Sequence, residues 1–243
     1  MRRWMILAAS VAMSAGLLSN VHGAGLKDLL PFKSSNSGAV SDADATGGFK
    51  QALQSGANHA VDILGRDGGF LNNDAVLIKP PRSLRSVEKG MRMLGKGDVA
   101  DEFIASMNHA AESAVPLAAN VFADTISHMS VTDAMGILKG GETSATDYLR
   151  TNSSDTLRDR FRPVVEQAMQ SNRVTAKYQA FIDKGGKAAQ MVGIDQSMLT
   201  DHVTDKALDG VFYMIAEQEK KIRADPAGQG SALISKVFGA LKR

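Results

Sequence analysis

The chain has 243 residues, with 28 Lys and Arg against 26 Asp and Glu, a formal net charge of +2 and no cysteine. The missing cysteine excludes disulfides, thiolate nucleophiles and thiolate-held metals. The even charge balance excludes a strong general pull on nucleic acid or anionic membrane, and without Arg2 and Arg3 the count is 26 against 26.

Arg2 and Arg3 precede an apolar run from Trp4 to Leu18, and small residues surround Gly23. That is the layout of an export signal over residues 1–23, cut near Gly23 or Ala24. The run is too short and too alanine-rich to span a bilayer, and no later run is long enough. The mature protein is therefore expected in the periplasm, with no transmembrane segment and no lipid anchor on a cysteine. Residues 24–48 hold a short cluster of Leu26, Leu29, Leu30 and Phe32, then a Ser/Gly/Asp/Ala-rich stretch without periodicity, which predicts a flexible tether. Residues 49–243 are expected to be a single helical domain.

Phe49, Leu53, Ala57, Ala60, Val61 and Leu64 recur at helical spacing and predict a first helix ending at Gly65. Residues 66–81 combine Asp67-Gly68-Gly69 turn chemistry with Phe70, Leu71, Val76, Leu77 and Ile78, which predicts a packed loop, extended before Pro80-Pro81. Ser83 is expected to cap a second helix that stops at Gly95. A long helical pattern from Asp98 to Met129 contains Pro116, which should kink or split it. Ser130 and Asp133 resemble a capping box for a short helix ending at Gly140-Gly141. Another short helix is expected over 143–150, and Ser153 or Ser154 should cap the next, which carries Pro163. Val174 to Ile182 predicts a further helix, broken near Gly185-Gly186. Leu233, Ile234, Val237, Phe238 and Leu241 predict a last amphipathic helix.

Between these lies the stretch that should organise the fold. Val203, Ala207, Leu208, Val211, Phe212, Met214, Ile215 and Ile222 make a wide apolar arc at spacings of three and four. Asp201 or Thr204 is placed to cap it, and Asp225-Pro226 stops it. Gly210 within it suggests close approach of a neighbouring helix, because glycine there costs about 1 kcal/mol against alanine. With no lasting strand-period alternation, the fold class is all-α: an irregular multi-helix bundle around a central helix at about 203–224.

Three stretches, GFLNNDAVLI from Gly69, FRPVVEQAM from Phe161 and VTDKALDGVFYMIAE from Val203, together resemble a known bacterial family, the domain of unknown function numbered 4197. The span from Asp133 to Tyr148 fits it as well, and the resemblance covers roughly residues 49–238. It implies an exported helical protein from a bacterium with two membranes. It supplies no reaction, cofactor or site residue.

The remaining motifs are weighed residue by residue. Gly90, Gly95 and Lys96 follow part of a P-loop spacing, but Gly97 stands where Ser or Thr is needed and no strand precedes. Asp42, Asp44, Thr46 and Gly47 open like a calcium loop, but Leu53 stands where the bidentate acid belongs. His59 with Asp62, His109 with Glu112, and Asp124 with His128 each share a helix face, and two such pairs on facing helices would give four metal ligands. Commoner than that are solvated His–carboxylate neighbours. Asp205, Asp209, Tyr213 and Glu217 share a face of the central helix at spacing four. They form either an inward polar or acid–base site or a row of salt bridges that fixes helix register. Methionines such as Met91, Met93, Met107, Met129, Met169, Met191 and Met198 suit core filling or an adaptable apolar pocket. These features favour a non-catalytic binding or interaction module without a cofactor, whose partner is an envelope protein. The alternatives are an apolar-ligand or lipid-binding protein, and a metal-dependent or acid–base enzyme.

Overall fold

A computed structural model describes residues 42–225, and every regular element among them is helical. The expected export signal, residues 24–41 of the expected tether and the amphipathic helix expected after Pro226 lie outside the described residues. The helices are α1 (Asp42–Leu64), α2 (Arg85–Met93), α3 (Gly97–Ala114), α4 (Ala118–Ser127), α5 (Val131–Leu138), α6 (Ser144–Ser171), α7 (Val174–Gly185), α8 (Lys187–Gln190) and α9 (Gln196–Ala224). The expected all-α bundle is what these residues form.

The long helix α9 packs against α6, α1 and α3. Val203, Ala207, Leu208, Val211, Phe212, Ile215 and Ile222 bury its apolar arc. Phe122 of α4 meets Phe212 edge-on, with ring centres 5.8 Å apart. On the other side of the bundle, Phe103 of α3 packs against Phe181 and Tyr178 of α7. Each fully buried leucine, isoleucine or phenylalanine contributes roughly 1.5–3 kcal/mol, and such side chains occur in α1, in every helix from α3 to α7 and in α9, while α2 buries Val87 and Met91.

Several local signals act as expected. Pro116 sits in a 3-10 turn, Val115–Leu117, that separates α3 from α4. Ser130 and Asp133 form a reciprocal capping box at α5, and the Ser130 hydroxyl and N–H hold the Asp133 carboxylate below the usual range. Gly95, at φ +72°, closes α2, with Lys96 N–H donating back to Met91 O at 2.9 Å.

Other elements differ from their sequence pattern. Residues 42–48, read as the end of the tether, are the start of α1. Their small residues conceal the signal, yet Thr46 and Gly48 are buried. Ser83 lies inside a 3-10 turn, Arg82–Leu84, rather than capping α2. The helix expected over 143–150 and the one after it are one continuous α6. The Ser153 and Ser154 hydroxyls do not cap; they donate to Leu149 O at 2.5 Å and Arg150 O at 2.6 Å, one turn back inside the helix. Leu149, Ser153, Leu157, Phe161 and Val165 form one buried stripe that carries the helix past them. Finally, α9 begins at Gln196, earlier than 203, because Asp195 accepts from Met198 N–H at 2.7 Å and is the cap.

Candidate functional site

Asp205, Asp209, Tyr213 and Glu217 do share one face of α9, as their spacing requires, but that face is the outer one. Tyr213 is 42% exposed. Asp205 pairs with Arg158 of α6. Asp209 accepts from Lys206 at 2.8 Å and lies 3.7 Å from Arg150, whose guanidinium stacks on the Phe212 ring. Glu217 accepts from Lys220 at 2.9 Å. These are solvated ion pairs between neighbouring turns and between α6 and α9, each worth about 0–1 kcal/mol. Nearby, Arg162 donates to Asp201 at 2.9 Å. His202 donates from Nε2 to Lys79 O at 2.9 Å, and burial, with help from Lys206 and Arg85, lowers its pKa.

The buried polar groups lie elsewhere, and each holds backbone. Asn108 on α3 is fully buried. Its amide oxygen accepts from Ile78 N–H at 2.9 Å, and its amide nitrogen donates to Ile78 O at 3.0 Å and Ile104 O at 2.8 Å. One turn on, Glu112 is 4% exposed. Its carboxylate accepts from the N–H groups of Gly68 at 3.2 Å, Phe70 at 2.9 Å and Leu71 at 3.2 Å. Together they fasten the 66–81 loop, whose backbone has no sheet or helix of its own to satisfy it. The loop's Phe70 ring then lies against Gly210 of α9. A Cβ there would stand 2.5 Å from Phe70 Cε1, so what closely approaches Gly210 is a loop phenylalanine rather than a helix. Gly69 has a similar reason: a Cβ would meet Ile63 O at 2.5 Å and Leu64 O at 2.6 Å.

Glu219 is the third such group, at 7% exposure. It accepts from Ala145 N–H and Thr146 N–H, both at 2.9 Å, and from the Thr146 hydroxyl at 2.7 Å. It therefore caps α6 from a distant helix, at an end where Thr143 makes no side-chain cap. Arg223 donates to Glu219 at 2.9 Å and to Ile137 O at 2.9 Å, so the pair joins the end of α5 to the start of α6. Sequence reading passes over Glu219 in favour of Glu217. The available signal was its register: Val211, Ile215, Glu219 and Ile222 lie on the same buried stripe.

The metal-ligand pairs separate as follows. Asp124 and His128 are a solvated pair on α4, 3.6 Å apart. His59 and Asp62 lie on the exposed face of α1, beside Gln51, Gln54 and Asn58. Neither joins His109 and Glu112 in a four-ligand site. The partner that sequence reading missed is Asp67, from the loop. His109 Nδ1 lies 2.8 Å from Glu112 Oε2 and 3.3 Å from Asp67 Oδ1, beside an open depression bounded by Gly65, Ser113, Pro116 and Asn172. Lys96, the P-loop candidate, donates to Lys184 O at 3.3 Å. The methionines do not converge on a pocket: Met91, Met107, Met129 and Met169 are core residues, and Met93, Met191 and Met198 are exposed.

No helix among the described residues is long and apolar enough to cross a membrane. No curated protein and no solved structure matches the chain. A family profile does: DUF4197, described as a protein of unknown function, over residues 39–239.

Proposed function

Since the chain belongs to the DUF4197 family of unknown function, we propose that it is a non-catalytic binding or interaction module of the periplasm. One contrast carries this reading. The buried acids Glu112 and Glu219 hold backbone N–H groups of distant segments, and no buried side-chain nitrogen or oxygen among the described residues lacks a partner. Large apolar side chains, by contrast, stand in solvent at the end of α2 and after α8. Met93 and Leu94 lie where α2 ends, next to the end of α7 that Lys96 reaches through Lys184 O. Met191, 86% exposed, follows α8, which packs on α7. Exposed apolar surface of this kind suits a protein partner.

The export signal and the even charge of the mature chain support an envelope partner. The apolar-ligand reading has less support. The depression bounded by Phe49, Ala52, Leu53, Ile215 and Ile222 holds about 20 Å³, the room of one water and far below the few hundred Å³ of a ligand pocket.

The test is affinity capture from the cell envelope, with the purified native protein as bait, alongside a variant carrying Met93→Ser, Leu94→Ser and Met191→Ser. A partner held by the native protein and lost by the variant is expected. Turnover of ester, phosphate or peptide substrates by the purified protein would overturn the reading, as would capture that the variant leaves unchanged.

A further inference from the structure

We propose that Asp67, His109 and Glu112 bind a divalent cation of the zinc class, bridging the 66–81 loop to α3. This inference is independent of the interaction surface at the other helix ends. The three residues offer one imidazole nitrogen and two carboxylate oxygens, all within 4.8 Å of one another. Zinc-type bonds of about 2.0–2.2 Å at tetrahedral angles place neighbouring ligand atoms roughly 3.3–3.6 Å apart. The distances of 2.8 Å and 3.3 Å from His109 Nδ1 to its two carboxylates need to open by only a few tenths of an ångström. A cation then replaces the proton that His109 shares with Glu112.

Two further features favour a cation there. Glu112 is oriented before any ion arrives, because Gly68, Phe70 and Leu71 donate to it. Phe70 and Leu71 take Oε1, which leaves Oε2 turned to His109 with Gly68 alone beside it. Backbone donors of this kind fix a ligand and are part of a working metal site. The site is also open on one side, where the depression bounded by Gly65, Ser113, Pro116 and Asn172 admits water as a fourth ligand. One nitrogen and two oxygens in a small set suit zinc or a neighbouring first-row ion. They do not suit calcium, which takes six to eight oxygens at longer distances, or magnesium, which prefers oxygen and retains its waters.

Because Asp67 sits on the loop and Glu112 on α3, the bound ion fastens the same loop that Asn108 and Phe70 hold, and raises the stability of the whole. The test uses the untagged full chain, stripped with a chelator and titrated with zinc chloride by calorimetry. One equivalent of zinc is expected, with a rise in Tm that millimolar magnesium or calcium does not reproduce. His109→Ala should weaken binding by at least about tenfold, and Asp67→Asn by less. Both leave the three backbone bonds to Glu112 in place, so both should fold, which circular dichroism checks. Absence of zinc binding overturns the proposal. Binding of equal strength in the native protein and His109→Ala also overturns it, since the ion then sits elsewhere.

Discussion

The two faces of α9 carry the same chemistry to opposite results. Along its outer face, Asp205, Asp209 and Glu217 pair with Arg158, Lys206 and Lys220 in solvent. Glu219, two residues beyond Glu217, turns inward, takes three hydrogen bonds from the start of α6 and is held by Arg223. A step of two residues on a helix turns a side chain by about 200°. That rotation separates a surface charge worth a few tenths of a kcal/mol from a buried one on which two other helices depend. Acids therefore matter in this protein by the backbone they hold, and Glu112 repeats the lesson on α3.

Substitutions can break that comparison, and the largest effect should come from Glu219→Ala. It strands three donors at the start of α6 and takes the carboxylate away from Arg223, and removing one partner of a buried pair costs roughly 3–5 kcal/mol. Glu112→Ala should cost nearly as much, through the N–H groups of Gly68, Phe70 and Leu71. Denaturant unfolding measures both. A loss no larger than that of Asp209→Asn would end the distinction between the two kinds of acid. Next comes Asn108→Leu, which keeps volume but leaves Ile78 N–H and C=O unpaired, at about 2–3 kcal/mol. Gly210→Ala should destabilise by roughly 1–2 kcal/mol, overpacking against the Phe70 ring outweighing the helix propensity gained. The cost should shrink when Phe70→Leu is added, as a double-mutant cycle would reveal.

A smaller effect should appear with pH. Burial lowers the His202 pKa from its ordinary 6.5, so the folded protein binds fewer protons at this site than the unfolded chain. The resulting stability is complete above pH 6.5 and drains away as pH falls below it. His202→Gln, which can still donate to Lys79 O, should flatten that slope in unfolding curves taken across mildly acidic pH. The smallest effects should be those of Asp209→Asn and Glu217→Gln, within about 0.5 kcal/mol. A large loss of stability or of partner capture in either would restore the outer face as a site.

Much of the fold is legible in particular residues. Pro116 splits a helix because it lacks an N–H, Gly95 ends one at positive φ, and Ser130 with Asp133 starts one, all through bonds to near neighbours. Ser153, Ser154 and Ser83 mislead for the same reason: a local cap signal is overridden when a long buried stripe or a neighbouring proline sets the backbone. The candidate sites were less legible. Helical spacing correctly grouped Asp205, Asp209, Tyr213 and Glu217 on a face, but spacing does not say what covers that face. Asp67 joins His109 and Glu112 only through the path of a loop that has no periodicity.

The amino-acid sequence alone determined the helical class, the apolar arc of the central helix, its stop at Asp225-Pro226 and the missing thiol chemistry. Each of these depends on interactions within a few residues or on composition. Tertiary structure alone decided that Phe70 fills the notch at Gly210, that Asn108 and Glu112 secure a loop some thirty to forty residues away in sequence, and that Glu219 caps a helix it does not belong to. Those contacts join distant segments, and a buried polar side chain takes its role from whichever unpaired backbone the fold brings to it.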